Sequence, residues 1–240
     1  MALKAMILAA GLGTRLKPWT DNHPKALALV NGKSLLERNV KYLQQSGIDN
    51  IIVNVHHFAV QIIRAIQENK GWGSKIFISD ETDAVLETGG GLKKAAHFFY
   101  GAEDFVLMNV DVLTDMPLNK MIKYHLTNKP LATLATTDRK TSRYFLFNEN
   151  DELCGWRNVE TGAEKIVKAS NVLDQKAFSG IHIINKKIFS LMKQEGKFSM
   201  VDVYLDAAKT EVIKSFDHSQ SKFIDVGKPQ SVEEAEKLFD

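Results

Sequence analysis

The stretch that decides the fold is residues 3–33, LKAMILAAGLGTRLKPWTDNHPKALALVNGK. A short apolar run over residues 5–10 breaks into a loop carrying Gly11 and Gly13, with Arg15 and Lys17 inside it and Lys25 just beyond. Glycines let backbone N–H groups close on a phosphate, and the cations supply charge for a polyphosphate. The arrangement points to nucleotide chemistry. Spacing excludes two familiar phosphate loops. A dinucleotide-binding fingerprint needs a third glycine where Leu16 stands, and a Walker A loop ending at Gly32-Lys33-Ser34 needs a glycine where Leu27 stands.

Outward from the loop, strand and helix patterns alternate. Residues 5–9 read as a buried strand. Ser34-Leu35-Leu36-Glu37 is a capping box, after which Leu36, Val40 and Leu43 recur at helical spacing until Gly47. Strands follow over residues 51–55, 75–79 and 105–109, with helices over 60–68 and 90–98. Short connections between βα units imply parallel strands covered by helices on both faces. From about residue 131 the pattern changes. LATLATT, YFLFNEND, ELCGWRN and AFSGIHII read as shorter strands, with a hairpin around residues 148–151. NKKIFSLMKQ and MVDVYLDAAK read as helices. Residues 221–226 read as a strand, and Ser231-Val232-Glu233-Glu234 as a second capping box opening a last helix. With no linker or repeat, a single domain over 1–240 is expected. Its nucleotide-binding half runs to about 130, and an acceptor half follows.

Composition narrows the class. A formal net charge of +2 gives no reason to expect nucleic acid or a membrane surface as partner. Trp19, Trp72 and Trp156 are too scattered for a base-stacking platform. One cysteine, Cys154, cannot form an internal disulfide and favours a cytoplasmic setting. The apolar N-terminal run is too short for a signal peptide and has no cleavage pattern, and no run approaches the roughly 18 apolar residues of a membrane span.

The motif LAAGxGTRLxP, followed by Pro24-Lys25, resembles the signature of the sugar-1-phosphate nucleotidyltransferases. The resemblance continues through LETGGGLKKA (residues 86–95), MNVDVLTD (108–115), FSGIHII (178–184) and FIDVGKPQSVEEAEKL (223–238), in the family's order. It implies a Rossmann-like, GT-A type α/β fold, with a mixed, mostly parallel central sheet and helices on both faces. The short chain, LETGGG and the terminal DVGKP most resemble members that transfer uridylyl groups to N-acetylmuramate-1-phosphate. UTP and that sugar phosphate are therefore the expected substrates. Guanylyl transfer to mannose- or heptose-1-phosphate, thymidylyl transfer to glucose-1-phosphate, cytidylyl transfer to a phosphorylated alcohol and a catalytically silent nucleotide-binding regulator stay open. The oligomeric state stays open between monomer and homodimer.

The resemblance also implies roles. A sugar-1-phosphate oxygen attacks the α-phosphorus of an NTP, so catalysis reduces to positioning two polyanions and stabilising charge. Asp111 follows the 105–109 strand, where open α/β sheets place their ligand crevice. With Asp225 it is expected to hold Mg²⁺. Arg15 is expected to grip the β- and γ-phosphates, and Lys25 to act near the α-phosphate and the sugar phosphate. Lys17 is less clearly placed. Nucleotide contacts are expected from Leu8, Ala9, Ala10, Gly11, Gly13, Thr14, Glu81, Thr88, Gly89 and Gly90, and acceptor contacts from Glu87, Asn109, Arg143 and Gly180. Larger members carry a Glu-Lys-Pro segment whose lysine holds the sugar phosphate. Here Glu164-Lys165 is followed by Ile166, which leaves the counterpart of that lysine unassigned. His56-His57 reads as a capping or surface pair.

Overall fold

The computed structural model describes residues 3–239. The opening apolar run is β1 (Lys4–Leu8). After the glycine loop, a small hairpin of β2 (Leu29–Val30) and β3 (Lys33–Ser34) leads into α1 (Leu35–Gln44). Then β4 (Asn50–Val55), α2 (Ala59–Glu68), β5 (Lys75–Asp80), α3 (Glu87–Lys94) and β6 (Asp104–Asn109) alternate. A short β7 (Val112–Thr114) and α4 (Leu118–Asn128) precede β8 (Ala132–Thr137), β9 (Arg143–Phe147), β10 (Leu153–Asn158) and β11 (Glu164–Ile166). The chain ends with β12 (Asp174–Asn185), the single turn α5 (Ile188–Leu191), α6 (Met200–Ala207), β13 (Ile213–Asp217), β14 (Phe223–Asp225) and α7 (Pro229–Leu238).

Residues Ala5 to Leu8 are buried whichever face of the sheet they point to, as a central parallel strand requires. β1 lies between β4 and β6, parallel to both, and β5 extends this block beyond β4. β12 runs antiparallel to β6 and carries the sheet onward to β9, β10 and β11, while β8 and then β13 branch from its other half. The result is one mixed α/β sheet of ten strands shared by both halves of the sequence. Two apolar clusters cover its faces. One is anchored by Ile7, Leu36, Val53 and Met108 under α1 and α2, the other by Phe105, Phe147, Tyr204 and Leu134 under α6.

Local chemistry sets the helix starts. Ser34 caps α1, its hydroxyl accepting from the Glu37 N–H at 3.1 Å, as the capping box predicts. Three expectations are corrected. The last helix begins at Pro229, whose fixed φ suits the first helical position, so Ser231 lies inside the first turn and caps nothing. NKKIFSLMKQ yields only α5, because β12 runs on to Asn185, and Met192 turns extended to draw the chain towards α3. The helix expected over 90–98 begins at Glu87 and breaks into a 3-10 turn after Lys94.

Candidate active site

The C-terminal ends of β1 and β6 open into a cleft of about 390 Å³, lined by the glycine loop, by Glu81 after β5, by the start of α3 and by Ser199 before α6. The loop is held from below. Gly13 takes φ +64°, and a Cβ there would come within 2.8 Å of the Thr20 methyl and 3.0 Å of Lys25 Cβ. Its carbonyl accepts from the Thr20 hydroxyl at 2.9 Å and the Leu16 N–H at 2.8 Å. Gly11 has nothing within 4 Å of a notional Cβ: its α-carbon faces open cleft.

Opposite the loop, two carboxylates arrive on different strands. Asp111 sits in the turn after β6. That turn is pinned by Val110 N–H on the Leu8 carbonyl (3.1 Å) and by the Asn39 amide on the Val110 carbonyl (2.7 Å). β14 pairs antiparallel with β7, Asp225 opposite Val112, and the Val226 N–H reaches the Asp111 carbonyl at 2.8 Å. This brings Asp225 beside Asp111. Partial burial, then the Asp111 charge, push the Asp225 carboxyl above its usual range, against the pull of Lys25, Arg15 and Arg139. Each carboxylate meets a cation from the loop: Lys25 pairs with Asp111 in a nearly buried contact, and Arg15 Nη2 lies 4.0 Å from Asp225. A Cβ on Gly227 would sit 2.7 Å from Asp225 Oδ1 and 2.9 Å from Arg15 Nη2, so glycine makes room for that approach.

Two facing carboxylates supply hard oxygen donors suited to Mg²⁺, with phosphate oxygens and water filling the remaining positions. Among the described residues no group of three or more His, Cys, Asp or Glu side chains gathers for a metal. The protein's share of any shell here is thus a pair, which a phosphate-bearing substrate would complete.

At the inner end, Glu81 is only 1% exposed. Asn54 donates from Nδ2 to Glu81 Oε1 (2.8 Å) and accepts at Oδ1 from the Ala9 N–H (2.7 Å), tying this carboxylate to the loop. Glu81 Oε2 is buried with no hydrogen-bond partner. Burial raises the Glu81 carboxyl above its usual range, opposed chiefly by the Asn54 amide. The His56 ring bonds the Glu81 carbonyl at 2.6 Å and His57 packs on Phe58, so neither histidine enters the cleft.

Of the residues expected from sequence, Leu8, Ala9, Ala10, Gly11, Gly13, Thr14, Arg15, Lys25, Glu81, Glu87, Thr88, Asn109 and Asp111 line this cleft together. Asp225 adjoins it through Arg15. Gly180, at φ +74°, stands behind Asn109, where a Cβ would come within 2.7 Å of Nδ2. Gly89 and Gly90 follow Thr88 but are not themselves among the residues lining the cleft. They are buried in α3, their N–H groups donating to the Phe198 carbonyl at 2.9 and 3.2 Å. Their missing side chains admit the 196–198 segment. Arg143 is exposed at the start of β9, and Lys165 is exposed on the edge strand β11; neither lines the cleft. Lys17 pairs with Asp21 at 2.9 Å, facing solvent. Asn54, Val85, Val110, Ser199 and Gly227 also line the cleft. Of these, Val110 and Gly227 lie in the motifs MNVDVLTD and FIDVGKPQ, and Asn54 stands out as a polar residue inside the buried run IIVNV.

A family profile described as nucleotidyl transferase matches residues 4–239. The chain is 47% identical over 93 residues to an N-acetylmuramate alpha-1-phosphate uridylyltransferase of Caulobacter vibrioides, but this overlap covers only 38% of either chain. It is 31% identical over 238 residues to a D-glycero-alpha-D-manno-heptose 1-phosphate guanylyltransferase of Aneurinibacillus thermoaerophilus, covering 98% of this chain and 97% of that one. Among solved structures, HddC from Yersinia pseudotuberculosis complexed with GMP-PN aligns with TM-score 0.79 at 26% identity, over 99% of this chain and all of that one.

Proposed function

This chain belongs to the nucleotidyl transferase family, with a match running over residues 4–239, and we propose that it transfers a nucleoside monophosphate from an NTP to a sugar-1-phosphate, releasing pyrophosphate. The observation that carries the reading is the convergence of Arg15 and Lys25 from one loop with Asp225 and Asp111 from two strand ends, around a cleft of nucleotide size.

The acceptor phosphate is already an anion, so its oxygen attacks the α-phosphorus without a general base. The bond to the β-phosphate oxygen breaks and pyrophosphate carries away the electron pair. The protein's task is to hold two polyanions in line. Lys25, nearly buried beside Asp111, places a point charge between the α-phosphate and the incoming phosphate. Arg15, half exposed at the mouth, offers a fork of N–H donors to the leaving pyrophosphate. Mg²⁺ held by Asp111 and Asp225 supplies further charge neutralisation for the phosphates when bound.

Glu81 bears on the base. When ionised, its unpartnered Oε2 can only accept, so it fits an N–H on the base, whether the ring N–H of uracil, thymine or guanine or the amino group of cytosine or adenine. Uridylyl transfer to N-acetylmuramate-1-phosphate is the first reading, supported by the local likeness to the uridylyltransferase. Guanylyl transfer to a heptose- or mannose-1-phosphate is the second, supported by the full-length likeness to a guanylyltransferase. Pyrophosphate release from each NTP with a panel of sugar-1-phosphates and Mg²⁺ separates them. Release with UTP and N-acetylmuramate-1-phosphate alone supports the first, and release with GTP and heptose-1-phosphate supports the second. No release with any pair overturns both.

A further inference from the structure

We propose that Arg139 holds the phosphate of the acceptor. The inference rests on the transfer reading above but concerns a residue outside every motif. Arg139 follows the end of β8, on the same side of the sheet as the cleft, and two contacts fix it. Its Nη2 donates to the Phe178 carbonyl at 2.8 Å, and its guanidinium lies 5.1 Å from the centre of the Phe223 ring. Phe178 stands two residues before Gly180, which abuts Asn109 in the cleft; Phe223 stands two residues before Asp225. Arg139 is therefore clamped between the two strands that complete the acceptor side. Arg15 and Lys25 approach from the nucleotide side.

Its bonding is unfinished. Nε is buried without a hydrogen-bond partner, and among the described residues the guanidinium makes no ion pair within 4.0 Å. Partial burial pushes its pKa down, offset first by the charge of Asp225. A cation drawn from water with no anion in contact is costly unless a ligand supplies one. A guanidinium with free N–H groups matches phosphate oxygens, and its planar fork fixes their orientation. The other basic residues considered for this task, Arg143 and Lys165, are exposed at their strands, whereas Arg139 is partly buried between Phe178 and Phe223.

The test is Arg139→Met, with Arg139→Lys and Lys165→Met beside it, on the best substrate pair of the wild-type protein. Arg139→Met should raise the acceptor KM about 10- to 100-fold, the loss of one or two charge-assisted hydrogen bonds. The NTP KM, and the Kd for a non-hydrolysable NTP analogue, should stay within about threefold. Arg139→Lys should recover part of the acceptor KM, and Lys165→Met should leave it unchanged. A merely structural role would lower the melting temperature and disturb both substrates alike. That outcome, or an unmoved acceptor KM, overturns the assignment while leaving the transfer reading intact. A wild-type protein that turns over no pair overturns both.

Discussion

The three glycines of α3 give a prediction whose sign separates two explanations. Gly90→Ala adds one methyl group to a helix interior. Intrinsic propensity alone favours alanine there by about 1 kcal/mol, and the Gly90 backbone is not in the left-handed region. The added Cβ would overlap the Gly196 carbonyl oxygen, well inside contact distance, and stand 3.0 Å from Leu86 Cβ. A backbone carbonyl cannot swing aside as a side-chain tip can. The same segment is fastened to α3 by the Gly89 and Gly90 N–H groups on the Phe198 carbonyl, and by the Met200 N–H on the Thr88 hydroxyl at 2.9 Å. Overpacking of this kind costs about 3 kcal/mol at the upper end, leaving a net loss near 2 kcal/mol after the helix gain. For a chain of this length that lowers the melting temperature by about 4–8 °C. Thermal unfolding and the Kd for a non-hydrolysable NTP analogue should be measured together, with Gly11→Ala as control. Gly11→Ala meets open space, so it should keep its melting temperature and lose nucleotide affinity. A Gly90→Ala protein with a raised melting temperature and weakened nucleotide binding would refute the packing argument and return the glycine to the nucleotide site.

Other outcomes follow from the cleft and the core. Lys25→Met should lower turnover by about 100- to 1,000-fold in the pyrophosphate assay while the fold survives; near-normal turnover removes Lys25 from the reaction. Gly227→Ala displaces Arg15 and Asp225, both half exposed and free to swing. It should change stability by less than about 1 kcal/mol yet reduce kcat/KM about tenfold or more, and equal losses in both would mean the glycine is structural. Two buried histidines, His182 and His218, contribute to loss of stability in acid. Burial lowers the His182 pKa to about 3 and that of His218 to about 4. Their stabilising effect is complete above the unfolded value near 6.5 and is lost as the pH falls, because the unfolded chain binds protons that the fold refuses. Each should cost about 2 kcal/mol between pH 6.5 and 5. Urea unfolding at pH 7.5 and 5 should show His182→Gln losing that much less than the wild type; parallel losses would sink the assignment.

Much of the first 130 residues was legible because each element there answers to a local rule. β1 is apolar on both faces, Ser34 caps its helix, and Gly13 stands where only a small residue fits between Thr20 and Lys25. The rest of the chain was harder to read because its pairings are remote in sequence. β13 lies parallel to β8, and Ser215 takes a buried position in it through hydrogen bonds to Asp151 and Lys176, so its hydrophobic alternation is masked. The glycines of LETGGG carry a signal for close approach, but sequence does not say to what. Arg139 has no motif at all: its surroundings come from Phe178 and Phe223, 39 and 84 residues away, and exist only once the strands are laid down.

The pairing of β14 with β7 also has a meaning in time. A chain leaves the ribosome N-terminus first and folds as it emerges. The glycine loop, Lys25 and Asp111 are made early, and the ten-stranded sheet has all its strands by Asp217. Asp225 and Gly227 come later and reach Asp111 only by the last strand to be laid down. A chain halted before residue 223 holds a finished sheet and half a ring of charge. The second carboxylate of the cleft is thus made only after every strand of that sheet, and its place depends on a pairing outside it.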